Sequence, residues 1–217
     1  GLNPITPAVE LALQGAIATA RERALAFNPE LIVLVAPDHY NGFFNELMPP
    51  FCVGTQAHSV GDYLTPPGDL NVDGPAAEAL VHSLMDADFD VALSRRMQVD
   101  HGFAQPLQLL WGGLDTPPVI PVFLNAVAPP GIPRLRRCRA LGEAIGRFMQ
   151  GEKRRTLFIG SGGLSHEPPV PMLSDPDPAV RDRITLRLQR DGSEQEPGNA
   201  QASHAGSLPA AHDSQDA

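Results

Sequence analysis

Leu31-Ile32-Val33-Leu34-Val35-Ala36, followed at once by Pro37-Asp38-His39-Tyr40-Asn41, is the stretch on which the fold turns. An unbroken apolar run of this length fits a strand covered on both faces, as in a parallel sheet sandwiched by helices. Upstream, Thr6-Pro7 matches an N-cap followed by proline in the first turn. Val9, Leu13, Ile17 and Ala20 then recur at helical spacing, which predicts an amphipathic helix from Pro7 to Phe27. Downstream, Tyr63 to Gly74 is rich in proline, glycine and aspartate and reads as loop. Pro75 to Ala87 reads as helix, Phe89 to Ser94 as strand, and the region near Pro106 to Trp111 as helix. Val119 to Leu124 is a further strand. Arg134 to Gln150 is a helix with Leu135, Leu141, Ile145 and Phe148 inward, and Thr156 to Gly160 is a strand. Such alternation predicts a single α/β domain with a mostly parallel central sheet flanked by helices. In that class, ligands bind in a crevice at the carboxyl ends of the strands.

Length and composition narrow the functional classes. The chain has 217 residues, enough for one substantial core, and its 42% hydrophobic and 19% charged content is ordinary for a globular domain. The net charge of −9 argues against nucleic acid or an anionic membrane surface as partner. No apolar stretch is long enough to span a bilayer. Cys52 and Cys138 stand in unrelated contexts without CxxC spacing, so neither a disulfide framework nor a zinc knuckle is indicated. That pattern fits a cytoplasmic location. No signal peptide is visible, and the sequence begins at Gly1 without methionine. From Gln189 onward the chain is polar, with Leu208 its only apolar residue larger than alanine, so residues 189–217 are expected to be a disordered tail after a domain over 1–188.

Three histidines follow apolar strands. His39 lies in Asp38-His39-Tyr40-Asn41, His101 in Asp100-His101-Gly102, and His166 in Ser161-Gly162-Gly163-Leu164-Ser165-His166. Glycines beside two of them permit close backbone approach, and an imidazole near neutral pH can bind a metal or move a proton. Asn125 also falls just past a strand end. His39, His101, Asn125 and His166 could therefore converge on one crevice. His82 reads as structural within a helix, His58 as a loop residue at a pocket rim, and His204 and His212 as solvated. Arg134, Arg136, Arg137 and Arg139 read as the solvent face of a helix. No P-loop, GxGxxG or GxSxG pattern is present, and neither Ser161 nor Ser165 stands in a nucleophile elbow.

Asp38-His39-Tyr40-Asn41-Gly42-Phe43-Phe44, Met97 to Pro106 around Asp100-His101-Gly102, and Gly160 to His166 together resemble the class III extradiol catechol dioxygenases. This is the family of the protocatechuate 4,5-dioxygenase catalytic subunit. The likeness runs from about Pro7 to Arg183. It implies cleavage of a catechol ring beside its hydroxyls with non-haem Fe(II) and O₂, the iron being held by two histidines and one carboxylate. The resemblance assigns His39 as an iron ligand, and His101 and His166 as an acid/base pair that does not ligate the metal. It implies 3-(2,3-dihydroxyphenyl)propionate or its cinnamate analogue as substrate, and self-association as a homo-oligomer.

The same resemblance places a first iron histidine upstream of Gly1 and a carboxylate ligand in a region here occupied by the polar tail. The expectation is a chain truncated at both ends, with a frameshift near Thr185 to Arg190, and inactive as it stands. Two other readings keep the scaffold: a zinc-dependent enzyme or hydrolase, and a non-catalytic binding protein.

Overall fold

A computed structural model describes residues 6–44, 46–162, 177–179 and 181. His166 and the tail over 189–217 lie outside the described residues, as does the boundary at 188.

Helix α1 (Pro7–Phe27) starts at its Thr6 cap, whose hydroxyl accepts from the Val9 amide, and ends where Asn28 turns left-handed. Strand β1 (Leu31–Ala36) follows. The chain then makes β2 (Phe51–Gly54), β3 (Ala57–Ser59), β4 (Gly68–Asp69) and helix α2 (Gly74–Asp86). After these come β5 (Ala92–Ser94), β6 (Met97–Val99), helix α3 (His101–Trp111), β7 (Val119–Leu124), helix α4 (Leu135–Met149) and β8 (Thr156–Gly160).

The main sheet runs β5-β2-β7-β1-β8. β1 pairs in parallel with both β7 and β8, and β2 in parallel with β5. The junction of β2 with β7 is antiparallel, so the sheet is mixed, with parallel pairing predominant. β4-β3-β6 form a second, separately hydrogen-bonded sheet.

Alternation along β1 explains the two-sided core. Leu31 and Val33 join Leu80 and Leu84 of α2 and Leu141 and Ile145 of α4 on one face. Ile32, Leu34 and Ala36 join Phe103 and Leu107 of α3 and Met97 and Val99 of β6 on the other. Successive strand side chains point to opposite faces, so a run apolar at every position needs cover on both, and here it has it.

Several expectations need correction. α1 has the expected bounds, but Val9 is 57% and Leu13 53% exposed, and Ala24 is its only buried residue. An alanine-rich sequence with a sound N-cap forms this helix without a buried stripe, and it meets the domain through α3, where the Arg21 guanidinium donates to the Leu110 carbonyl. α3 begins well before Pro106, because Asp100 caps it by accepting from the Gly102 amide at 2.8 Å. Pro106 sits inside this helix rather than at its start. The strand expected from Phe89 is only Ala92–Ser94; Phe89 instead packs its ring against Phe51, with centroids 5.4 Å apart. In α4, Leu141 and Ile145 are buried and Phe148 partly so, but Leu135, at the first turn, is 71% exposed. The loop expected over Tyr63 to Gly74 contains the two residues of β4.

Candidate active site

The loop after β1 folds around Asp38. This fully buried carboxylate accepts from the main-chain amides of Asn41, Gly42 and Phe43 at 2.9 to 3.1 Å, fixing a tight turn that presents His39. Asp38 thus shapes the loop rather than holding the His39 ring. Gly42 passes so close to β6 that a Cβ there would collide with the Gln98 carbonyl. Gly102 is equally constrained, since a Cβ would lie 2.5 Å from the Pro37 carbonyl oxygen. The close approach expected at Gly102 is therefore present, and it seats the start of α3 against the end of β1.

This packing brings His39 and His101 together. Their rings stack with centroids 4.4 Å apart and 16° between planes. Each is gripped at two points by one carboxylate. Asp100 Oδ2 accepts from the His39 amide at 2.7 Å and lies 2.9 Å from His39 Nδ1. Asp62 Oδ1 accepts from the His101 amide at 2.7 Å, and its Oδ2 lies 2.5 Å from His101 Nδ1. Asn41 Nδ2 donates to Asp100 Oδ2 at 3.1 Å and lies 3.4 Å from Asp62 Oδ2, linking the two acids. The Tyr63 ring packs against His101 at a tilt of 49°, centroids 4.4 Å apart.

The electrostatics follow from burial and pairing. Burial and the neighbouring Asp100 charge push Asp38 up to about 7, against its three main-chain donors. Burial also works against ionised Asp100, but the His39 hydrogen bond and charge, with His101 and Asn41, hold it below the usual carboxylate range. Burial disfavours a charged His39 ring, yet Asp100, helped by Asp38 and Asp62, lifts it above the ordinary imidazole value. The site stabilises positive charge on His39.

His39, Asp100 and His101 offer ligand atoms within 4.8 Å of one another, a donor set of two imidazoles and a carboxylate that could bind a metal ion. Asp100 is already engaged by four donors, and it orients the His39 ring through Nδ1.

The other expected residues lie as follows. Asn125 is fully buried at the end of β7, but Oδ1 accepts from the Val127 and Ala128 amides and Nδ2 donates to the Ala128 carbonyl, so its polar atoms close their own turn. It lines an apolar cavity of about 390 Å³ with Pro37, Ile132, Cys138 and Gly162, at the carboxyl ends of β1, β7 and β8. A cavity thus lies at the strand ends, but His39 and His101 do not line it, so the expected meeting of Asn125 with them in one crevice is not seen there. Gly162 makes the tight turn expected after β8, with φ of 97°. His58 lines a separate open groove of about 650 Å³ and pairs with Asp69 at 2.7 Å, on β3 rather than on a loop. His82 is exposed on α2. Asp62 was not singled out by the sequence. It lies in a loop whose polar residues carry no spacing signal, and only the folded chain places it beside His101.

These features define an enzyme-like site, and comparison with known proteins gives its family. The family model of the catalytic LigB subunit of aromatic ring-opening dioxygenase matches residues 8–200, and the chain belongs to that family. It is 63% identical over 197 residues, 90% of its length, to the 2,3-dihydroxyphenylpropionate/2,3-dihydroxicinnamic acid 1,2-dioxygenase of Comamonas testosteroni. It is 56% identical over 182 residues, 83% of its length, to proteins of the same name from Escherichia coli O139:H28 and Escherichia coli K12. It spans 61% of the first and 58% of the other two. No helix among the described residues is long and apolar enough to cross a membrane.

Proposed function

We propose that this chain carries the catalytic centre of an extradiol ring-cleaving dioxygenase acting on 3-(2,3-dihydroxyphenyl)propionate or 2,3-dihydroxycinnamate with O₂. The observation that supports this most is the stacked His39–His101 pair, each ring oriented by its own carboxylate. The names of the relatives point to the same substrates.

Fe(II) is the proposed cofactor; when bound, it supplies open coordination positions where a catechol and O₂ react together. His39 would hold it through Nε2, with Asp100 fixing the ring through Nδ1. His101 would accept a proton at Nε2 from a catechol hydroxyl, since its Nδ1 faces an acceptor-only carboxylate. His166 is proposed as its partner in acid/base work, returning a proton where the leaving oxygen needs one.

The test is to load the protein with Fe(II) and supply 3-(2,3-dihydroxyphenyl)propionate under air. A yellow ring-opened product with matching oxygen uptake supports the reading. Turnover only with zinc, or tight catechol binding without oxygen uptake by iron-loaded protein, would overturn it.

A further inference from the structure

We propose that Asp62 is the positioning residue for His101, fixing which ring nitrogen carries the proton and so leaving Nε2 as the basic atom. This rests on the reading of His101 as an acid/base group, and it adds a residue to which the sequence assigns no role.

Three observations carry it. First, the Asp62 carboxylate makes two contacts with one residue: Oδ1 with the His101 amide at 2.7 Å and Oδ2 with ring Nδ1 at 2.5 Å. A carboxylate only accepts hydrogen bonds, so Nδ1 must carry hydrogen and Nε2 the lone pair in the neutral ring. Second, the loop bearing Asp62 is bent into costly backbone. Gly61, Tyr63 and Leu64 all have positive φ, at 79°, 47° and 63°. Leu64 is 86% exposed, so its own packing gives no return for that conformation. Strain of this kind, worth on the order of 1 kcal/mol or more per residue, persists where surrounding contacts over-determine it. Here the Val60 amide donates to the Val99 carbonyl at 2.9 Å, and the Thr65 hydroxyl and amide both donate to the Asp62 carbonyl. The loop is thus tied to the strand that leads directly into Asp100 and His101. Third, the arrangement repeats the Asp100–His39 grip in the same atoms, amide plus Nδ1, on the stacked neighbour. Tyr63, next in the chain, packs against the His101 ring and restricts its rotation.

The two-point grip makes Asp62→Asn diagnostic. An amide offers one acceptor and one donor. If its oxygen keeps the His101 amide, its NH₂ faces Nδ1, which must become an acceptor, and the ring proton moves to Nε2.

The experiment is long-range ¹H–¹⁵N NMR of histidine-labelled full chain, chelator-treated, at alkaline pH where imidazoles are neutral. The His101 signals are assigned by their loss in His101→Gln. The expected result is hydrogen on Nδ1 in the parent chain and on Nε2 in Asp62→Asn. Hydrogen on Nε2 in the parent chain already overturns the proposal, whether or not the variant folds. An unchanged tautomer in a folded Asp62→Asn overturns it too. Kinetically, Asp62→Asn is expected to lower kcat by roughly 10²-fold while KM for the catechol shifts less than about threefold. A parent chain that cleaves no catechol would sink the functional reading, but the NMR result would still decide the role of Asp62.

Discussion

The ring planes of His39 and His101 lie within 16° of parallel, at a centroid separation of 4.4 Å, and a carboxylate sits on the Nδ1 edge of each. His39 Nδ1 lies 2.9 Å from the fully buried Asp100 carboxylate, whereas His101 Nδ1 lies 2.5 Å from the partly exposed Asp62, so the two rings are held by acids in different surroundings. On the proposed reading, His39 holds the metal and His101 moves the proton.

Replacing His101 by Gln should therefore lower ring cleavage by about 10² to 10⁴-fold while leaving catechol affinity nearly unchanged. Turnover and anaerobic catechol titration measure the two separately. The same split is expected for His166→Gln. Loss of binding in step with turnover would show a structural role instead.

Asp100→Asn should weaken metal binding by about 10 to 100-fold, because Nδ1 of His39 loses its acceptor-only partner. It should also lower stability by roughly 1–3 kcal/mol, since Asp100 is wholly buried and engages four donors. Metal titration and urea denaturation of the same samples check both.

Gly42→Ala should destabilise the fold by about 1–3 kcal/mol, because the added methyl meets the Gln98 main chain rather than a side chain that can move aside. Gly113→Ala, where nothing lies within 4 Å of the new atom, is the matched control. Denaturation midpoints should separate the two variants clearly.

A pH effect is expected away from the site. Glu152 accepts from both Arg154 and the main chain of the turn between α4 and β8, and Arg154 also bonds Asp73, the cap of α2. The Arg154 side chain, together with its amide, brings Glu152 down to about 2. A depressed carboxylate contributes stability that is complete above its ordinary value of 4.5 and is lost as pH falls through about 2. Glu152→Gln should cost no more than about 1 kcal/mol at neutral pH, given solvent screening, and the difference from the parent should shrink toward zero as pH approaches 2. Denaturant midpoints measured across that range decide it.

How far the sequence could carry these conclusions differs from element to element. β1, β7 and β8 are readable to the residue because each is a continuous apolar run ending in Ala-Pro, Leu-Asn or Gly-Ser. β3, β4 and β6 are two or three residues long, too short for any period to show, and the second sheet stayed hidden with them. The exposure of Val9 and Leu13 was illegible for another reason: helical spacing marks a face but does not supply a partner for it. His39 and His101 stood out as imidazoles after strands, and the fold does unite them. Asp62 did not, because its role arises from a contact between segments 39 positions apart and from left-handed backbone that its neighbours' identities do not announce.

Asp100 caps α3 with one oxygen and grips His39 with the other. Fraying the first turn of that helix would therefore release a histidine carried on a different segment. Local opening at one end of α3 and loss of the His39 orientation are a single event, so the Gly102 and His39 amides should show the same protection against hydrogen exchange.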